Sequence, residues 1–274
     1  MGTEGHVLQN DARDRSIRGR FSRAARSYHS AAEVQRAVAR QLVSALDAEP
    51  PPERIIEIGC GTGVLTDLVL ARFPAARLLA VDCAPGMVAE GERRFAGERR
   101  IEFRVADIRT FRPRQRVPLL VSSCSLHWVQ PVTLAMRGVF ACLGPGGTAA
   151  VAIMLDGTLR ELHEVRRAVV PDKAPSGRLP TRTAVLRAVS EAGLELVDAR
   201  RARIAECHAT VEELLGSLHR RGVTGGPVSV GRTHLTRGEL GRVMAEYRRR
   251  HGAGSEGVCA SYEVFYLMTR RGHT

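Results

Sequence analysis

The sequence predicts an α/β fold built on a doubly wound, mostly parallel sheet. Three observations carry that prediction. Ile55, Ile56 and Ile58 form a short β-branched run, as expected of a strand buried on both faces. Gly59, Gly61 and Gly63 follow at alternate positions, and Val64, Leu65, Leu68 and Val69 then recur at helical spacing. Five apolar strands alternate with helical segments between 54 and 155, which calls for parallel strands joined by crossover helices.

The stretch from Arg54 to Asp67 is therefore strand, glycine turn and helix. Glycine tolerates positive φ and lets a ligand lie against the backbone. The helix after it points free N–H groups into the turn, and such crevices at the carboxyl ends of parallel strands bind ligands. A dinucleotide site requires G-x-G-x-x-G; this chain has E-x-G-x-G-x-G, starting at Glu57.

Composition narrows the class. The 274 residues, 44% of them hydrophobic, allow one large core domain with a small cap. Cys60, Cys83, Cys124, Cys142, Cys207 and Cys259 are scattered, with no C-x-x-C pair and no zinc spacing. Reduced thiols, a cytoplasmic location and no metal are expected. The Arg-rich first thirty residues have no apolar stretch of a signal peptide, and no run approaches a membrane span. The net charge of +12 rests almost wholly on arginine, Lys173 being the only lysine. It fits a solvated surface or an acidic partner.

In chain order, residues 1 to 14 are polar and expected to be disordered. Phe21, Ala24, Ala25, Tyr28, Ala31, Ala32, Val38, Leu42 and Leu46 then mark one or two amphipathic helices, ended by Pro50 to Pro52. Ala76 to Asp82 and Ile101 to Asp107 are strands closed by an acid, and Val117 to Val129 is a strand running into a loop. Leu134 to Leu143 is a helix stopped by Gly144 to Gly147, and Thr148 to Leu155 is the fifth strand. Beyond it, Thr158–Val170, Thr183–Ala192, Val211–Arg221 and Thr236–Arg249 are helical, while Leu194–Cys207 and Val258–Thr269 are strands.

The E-x-G-x-G-x-G turn, with Val81-Asp82 and Pro85-Gly86-Met87 after it, resembles the first two motifs of class I S-adenosylmethionine-dependent methyltransferases. The resemblance implies a Rossmann-like, seven-stranded, mostly parallel sheet with the last strand antiparallel, plus a helical lid. It assigns the cofactor to Glu57, Gly59, Cys60, Gly61, Thr62, Gly63, Leu65, Asp82, Cys83, Met87, Asp107, Ile108 and Ser123. Glu57 would face the ammonium end, Asp82 the ribose hydroxyls, Met87 the adenine face, and Asp107 and the Ile108 N–H the adenine edge. Residues 1–50 would form a helical lid segment, 51–156 the cofactor-binding core, and 157–274 the remaining core with lid helices inserted at about 208–252. The amine-methylating signature after the fourth strand is replaced by Ser123-Cys124-Ser125-Leu126, so N-methylation is disfavoured, and Cys124 reads better as a buried thiol than as a nucleophile.

Over residues 17 to 270 the chain resembles the biotin-pathway methyltransferases that esterify the free carboxylate of malonyl-acyl carrier protein. The segments RFSRAARSYHSAAEVQR, SSCSLHWV, GTLRELHEV, VEELLGSLHRRGVTG and SYEVFYLM carry this, the third and last most specifically. The sequence departs from the pattern at Pro118-Leu119, where an aromatic and an acid are usual, and around Arg166. The resemblance implies an acidic carrier protein as partner, with neither nucleic acid nor membrane. Tyr28, His127 and Trp128 would wall the methyl and acceptor sites as positioning groups, since a carboxylate is already ionised at neutral pH and needs no general base. Basic clusters at Arg18, Arg20 and Arg23, at Arg220 and Arg221, and at Arg248 to Arg250 are candidates for the carrier-docking rim. The competing readings are a small-molecule carboxyl or natural-product methyltransferase and a non-catalytic cofactor- or RNA-binding protein. The latter lacks a basic patch interleaved with aromatics.

Overall fold

The computed structural model describes residues 2–47, 50–174, 178–223, 235–252 and 257–273, with side chains from Arg13 onward. Helices α1 (Gly2–Ala31) and α2 (Glu33–Val43) precede the sheet. Strands β1 (Arg54–Ile58), β2 (Arg77–Asp82), β3 (Ile101–Val105), β4 (Val117–Ser123) and β5 (Leu143–Met154) follow. They alternate with α3 (Val64–Arg72), α4 (Pro85–Arg94) and α5 (Val132–Cys142). Next come α6 (Arg160–Val169), α7 (Arg182–Glu191), β6 (Leu194–His208), α8 (Val211–Arg220), α9 (Arg237–His251) and β7 (Val258–Arg271).

The seven strands run in the order β3-β2-β1-β4-β5-β7-β6. β1 to β5 pair in parallel, and β7 lies antiparallel between β5 and β6. The order reverses at β1, placing its carboxyl end, with Gly59 to Gly63, at the switch point where open α/β sheets bind ligands. Both sheet faces are covered, which explains why β1 and β4 are apolar without alternation. One layer gathers Val38, Leu42, Leu65, Val69, Leu162 and Tyr247; the other gathers Met136, Val139, Val185 and Val189.

Four expectations are corrected. α1 begins at Gly2, so the first residues continue a helix, and Asp14 on it pairs with Arg109 at 2.5 Å. β5 begins at Leu143 and absorbs the Gly144–Gly147 segment, because Val117 pairs with Leu143 before a register shift brings Leu119 opposite Thr148. The inserted helices α8 and α9 do join a layer: Val211, Leu214, Leu218, Val243 and Tyr247 pack in the core cluster of Ile55 and Val121. Cys207 and Cys259, expected as separate thiols, face each other in the β6–β7 register and form a disulfide with Cα atoms 4.0 Å apart. Nothing in a separation of 52 residues announces that pairing.

The two most specific sequence segments hold each other. The Thr158 hydroxyl donates to the Glu263 carbonyl and accepts from the Glu263 N–H, at 3.3 and 3.1 Å. Glu161 accepts from the Ser261 N–H at 3.1 Å, and the Leu159 N–H donates to the Ser261 carbonyl at 2.6 Å. GTLREL and SYEVFY are thus a clasp that fixes α6 against β7.

Candidate active site

A cleft opens at the carboxyl ends of β1, β2 and β4, where open α/β sheets bind small molecules and cofactors. Gly59, Gly61, Asp82, Cys83, Met87, Ile108 and Ser123 line it from the sheet side. Asp14, Ile17, Arg18, Phe21 and Tyr28 line it from α1, and Cys124, Ser125 and Trp128 from the loop after β4.

The turn is shaped by its glycines. Gly59, Gly61 and Gly63 have φ of +71°, +54° and +91°, which side-chain-bearing residues seldom adopt. A Cβ on Gly59 would meet Ser125 Oγ at 1.8 Å and one on Gly63 would meet Phe95 at 2.3 Å. At Gly61 the nearest atom is Tyr28 Cε1 at 3.8 Å, so this position alone opens toward the cleft. The Gly61 N–H donates to Asp82 Oδ2 at 3.0 Å and the Ala84 N–H to Oδ1 at 2.8 Å. Asp82 therefore holds both turns while facing the cleft, and burial raises its titration above the usual carboxylate range.

Glu57 lies behind the turn, 1% exposed. Thr66 Oγ1 donates to Glu57 Oε2 at 2.6 Å, but Oε1 is buried without a partner among the described residues. Burial pushes this carboxyl up to about 8. Glu57 does not itself line the cleft; it lies one layer behind the glycine floor, where an orphaned acidic oxygen favours a cationic group held against that floor. Cys60, Thr62, Gly63 and Leu65 do not line the cleft: Cys60 and Thr62 are buried in the turn, Gly63 backs onto Phe95, and Leu65 packs in the core.

Two other expected positions have partners of their own in this structure. Asp107 lines the cleft, but Oδ1 accepts from the Arg109 N–H and Nε, each at 3.0 Å. Oδ2 accepts from Arg18 at 2.8 Å and from Arg109 Nη2 at 2.6 Å. A carboxylate offers about four acceptor positions, so Asp107 has none left for an adenine amino group in this arrangement. The Ile108 N–H stays without a protein partner among the described residues. His127 does not reach the cleft. It is 4% exposed, and its Nδ1 accepts from the Met154 N–H at 3.4 Å. Burial holds it neutral, with a pKa down to about 3. It anchors the loop to β5.

Trp128 and Tyr28 do stand on the wall. Phe21 joins them edge-on, with centroids 5.2 Å from Trp128 and 6.3 Å from Tyr28. Cys124, at φ +54°, turns the chain into the cleft, and burial raises its thiol to about 12. Sequence reasoning missed Asp14, Ile17 and Phe21 as cleft residues. Their spacing with Arg18 and Tyr28 on one helix face was the available signal.

Asp82→Ala is expected to weaken cofactor binding by about 1.5 to 3 kcal/mol, through lost charge-assisted bonds and a loosened Gly61 N–H. Calorimetry checks it, and unchanged affinity removes Asp82 from the site.

The fold and cleft can be set beside known proteins. Residues 55–147 match the family model described as a methyltransferase domain. The malonyl-[acyl-carrier protein] O-methyltransferase of Geobacter sulfurreducens is 31% identical over 264 residues, covering 94% of this chain and 98% of that protein. Among solved structures, the YcgJ protein of Bacillus subtilis superposes with a TM-score of 0.62 at 12% identity, covering 87% of this chain and 99% of that one. The geranyl diphosphate C-methyltransferase of Streptomyces coelicolor, solved with S-adenosyl-L-homocysteine, gives 0.52 at 18% identity, covering 86% and 78%. With its S-adenosylmethionine-type glycine turn and a relative aligned over nearly the whole chain, the protein is a methyltransferase that belongs to the malonyl-[acyl-carrier protein] O-methyltransferase family.

Proposed function

We propose that the protein methylates the free carboxylate of malonyl-acyl carrier protein, an early step toward biotin, in the cytoplasm. One observation supports this acceptor chemistry best: among the described residues the cleft presents no histidine and no unengaged carboxylate as a general base, Asp82 being held by the Gly61 and Ala84 N–H groups and Asp14 by Arg109. Cys124 and Cys83 are both pushed up to about 12, chiefly by burial, and burial raises Tyr28 further. His127 faces away, and Asp107 is saturated by arginines. Such a site suits an acceptor that arrives already ionised, as a carboxylate does at neutral pH.

S-adenosylmethionine supplies an electrophilic methyl group on a sulfonium. The chain supplies placement. Gly61 leaves the floor open, Glu57 keeps a carboxyl oxygen without a partner among the described residues that ionises when a cation is placed beside it, and Asp82 faces the cleft with acceptor capacity beyond its two backbone bonds. Phe21, Tyr28 and Trp128 close an aromatic wall that excludes water from the carboxylate and keeps it nucleophilic. Alignment of the two reactants accounts for on the order of 7 to 11 kcal/mol of the barrier. α1 acts as the lid, buttressed by α8 through the Ser27 hydroxyl, which donates to the Arg220 carbonyl at 2.9 Å.

The docking rim is narrower than the arginine count suggests. Arg18 is committed to Asp107, Arg221 is fully buried, and Arg248 to Arg250 pair with Glu212 and Glu246. Exposed Arg23 on α1 and Arg220 ending α8 remain, on the two helices that meet beside the cleft. Arg23→Glu with Arg220→Glu is expected to raise KM for malonyl-carrier protein about tenfold, roughly 1.4 kcal/mol, with kcat kept. Malonyl-CoA kinetics should hardly change, and added salt should mimic the substitution. Unchanged KM for the carrier-bound substrate would point to a small-molecule acceptor.

A further inference from the structure

Between Cys207 and Cys259 the chain leaves the sheet, builds α8 and α9, and returns as β7. The disulfide sits at the neck of that insertion, joining the end of β6 to the start of β7. Cys207 is exposed and Cys259 half-buried, so the bond lies at the surface, on an edge strand. The strands stay opposed on both sides of it, Glu206 with Ala260 and His208 with Val258. Once reduced, the two sulfurs would still be held opposite each other by that register.

Each cysteine stands beside a tie to one inserted helix. Glu206, next to Cys207, accepts from Ser217 Oγ of α8 at 3.1 Å and from Arg221 Nη2, just past that helix, at 2.6 Å. The Cys259 carbonyl accepts from the Tyr247 hydroxyl of α9 at 2.8 Å. α8 then meets α1. Ser27 of α1 donates to the Arg220 carbonyl at 2.9 Å, and a Cβ on Gly222 would meet Ala24 of α1 at 3.0 Å. α1 brings Arg18, Phe21 and Tyr28 to the cleft. Packed contacts therefore run from the disulfide to the cleft wall.

We propose that Cys207–Cys259 is a redox modification site, a bond that a dithiol reductant opens and whose state sets how firmly α8 holds α1 over the cleft. This rests on the reading of α1 as the lid. A cross-link restricts mainly the open states of the loop it closes, here spanning 52 residues. Losing it leaves the hydrogen bonds of Glu206 and Tyr247 in place but lets the insertion open more often. The exchange balances. A thiolate of the dithiol attacks the exposed Cys207 sulfur, the S–S bond breaks, and Cys259 leaves as a thiolate that takes up a proton. The second thiol of the reductant then displaces Cys207, which is protonated in turn. The protein gains two electrons and two protons, and the dithiol ends as a disulfide. Burial holds the other four thiols, Cys60, Cys83, Cys124 and Cys142, well above their usual range, so they stay protonated and the exchange is confined to this pair. In a reducing compartment a surface disulfide of this kind is exchanged rather than permanent.

The test compares full-length protein kept without reductant and after dithiothreitol. Alkylation under denaturing conditions, read by mass, should count four thiols before and six after. Hydrogen exchange should show α8 losing protection by about tenfold on reduction, with α1 loosening too. Calorimetry should show S-adenosylhomocysteine binding about fivefold more weakly. Cys207→Ser/Cys259→Ser should match the reduced wild type in both readouts and ignore dithiothreitol. Six thiols before reduction, or four after it, overturn the proposal. So does a reduced protein with unchanged α8 protection and cofactor affinity, whether or not it methylates malonyl-carrier protein. A double variant that still responds to dithiothreitol also overturns it. A protein that responds as expected, yet methylates no malonyl-carrier protein in either state, refutes the acceptor reading and leaves the redox site standing.

Discussion

Gly61→Val is expected to abolish S-adenosylmethionine binding, by at least about a hundredfold or roughly 2.7 kcal/mol, while the sheet still folds. Gly61 has φ +54° and a virtual Cβ that meets only Tyr28, at 3.8 Å. The methyls of valine would enter the cleft that the glycine leaves open. The left-handed backbone adds about 1 to 3 kcal/mol of strain to the folded state, so a melting curve must accompany the binding isotherm. Gly61→Ala is the graded control. A contact at 3.8 Å is ordinary packing, so alanine should cost far less affinity than valine. Equal affinity for wild type and Gly61→Val would show that the turn is not the cofactor floor.

Glu57 should make cofactor binding release protons. In the free protein, burial raises its carboxyl from the usual 4.5 to about 8, so it is mostly protonated at pH 7. Oε1 lacks a partner among the described residues, and a cation placed beside it favours ionisation. Calorimetry in buffers of different ionisation enthalpy should then register on the order of one proton released per cofactor at pH 7. Glu57→Gln should abolish that release. The same shift has a consequence for the free protein. The folded pKa lies above the unfolded one, so the stability contribution is complete below about 4.5 and is lost as pH rises through about 8. The melting temperature of the cofactor-free protein should therefore fall across that window, and Glu57→Gln should flatten the profile. A proton count of zero, with a flat wild-type profile, would show that Glu57 is ionised and satisfied in the free protein.

The sheet was legible because its signals are local. Ile55, Ile56 and Ile58 before a glycine turn, and Asp82 ending the next strand, specify strand, turn and crossover without tertiary information. The glycine turn and Asp82 were readable for the same reason. What escaped depends on distant pairing. Arg18 reaches Asp107 from α1 and, with the neighbouring Arg109, uses up acceptor positions that the motif alone leaves open. His127 lies next to Trp128 in sequence, yet the short turn at Leu126–Trp128 sends it to the Met154 N–H and its neighbour to the cleft. Arg221 reads as one more surface arginine in a basic chain. Only the meeting of α8, β6 and β7 shows that Glu206 and Tyr262 bury it. The Cys207–Cys259 bond is likewise a product of β6–β7 register.

The most direct test of the account is transfer of a labelled methyl group from S-adenosylmethionine to malonyl-acyl carrier protein. Acetyl-acyl carrier protein, which lacks the second carboxylate, and bulk RNA serve as parallel acceptors. The account predicts label only on the malonyl form, on the carrier-bound acyl group, as a base-labile ester, with one methyl gained by mass. Label on acetyl-carrier protein or RNA, or a base-stable product, would contradict it.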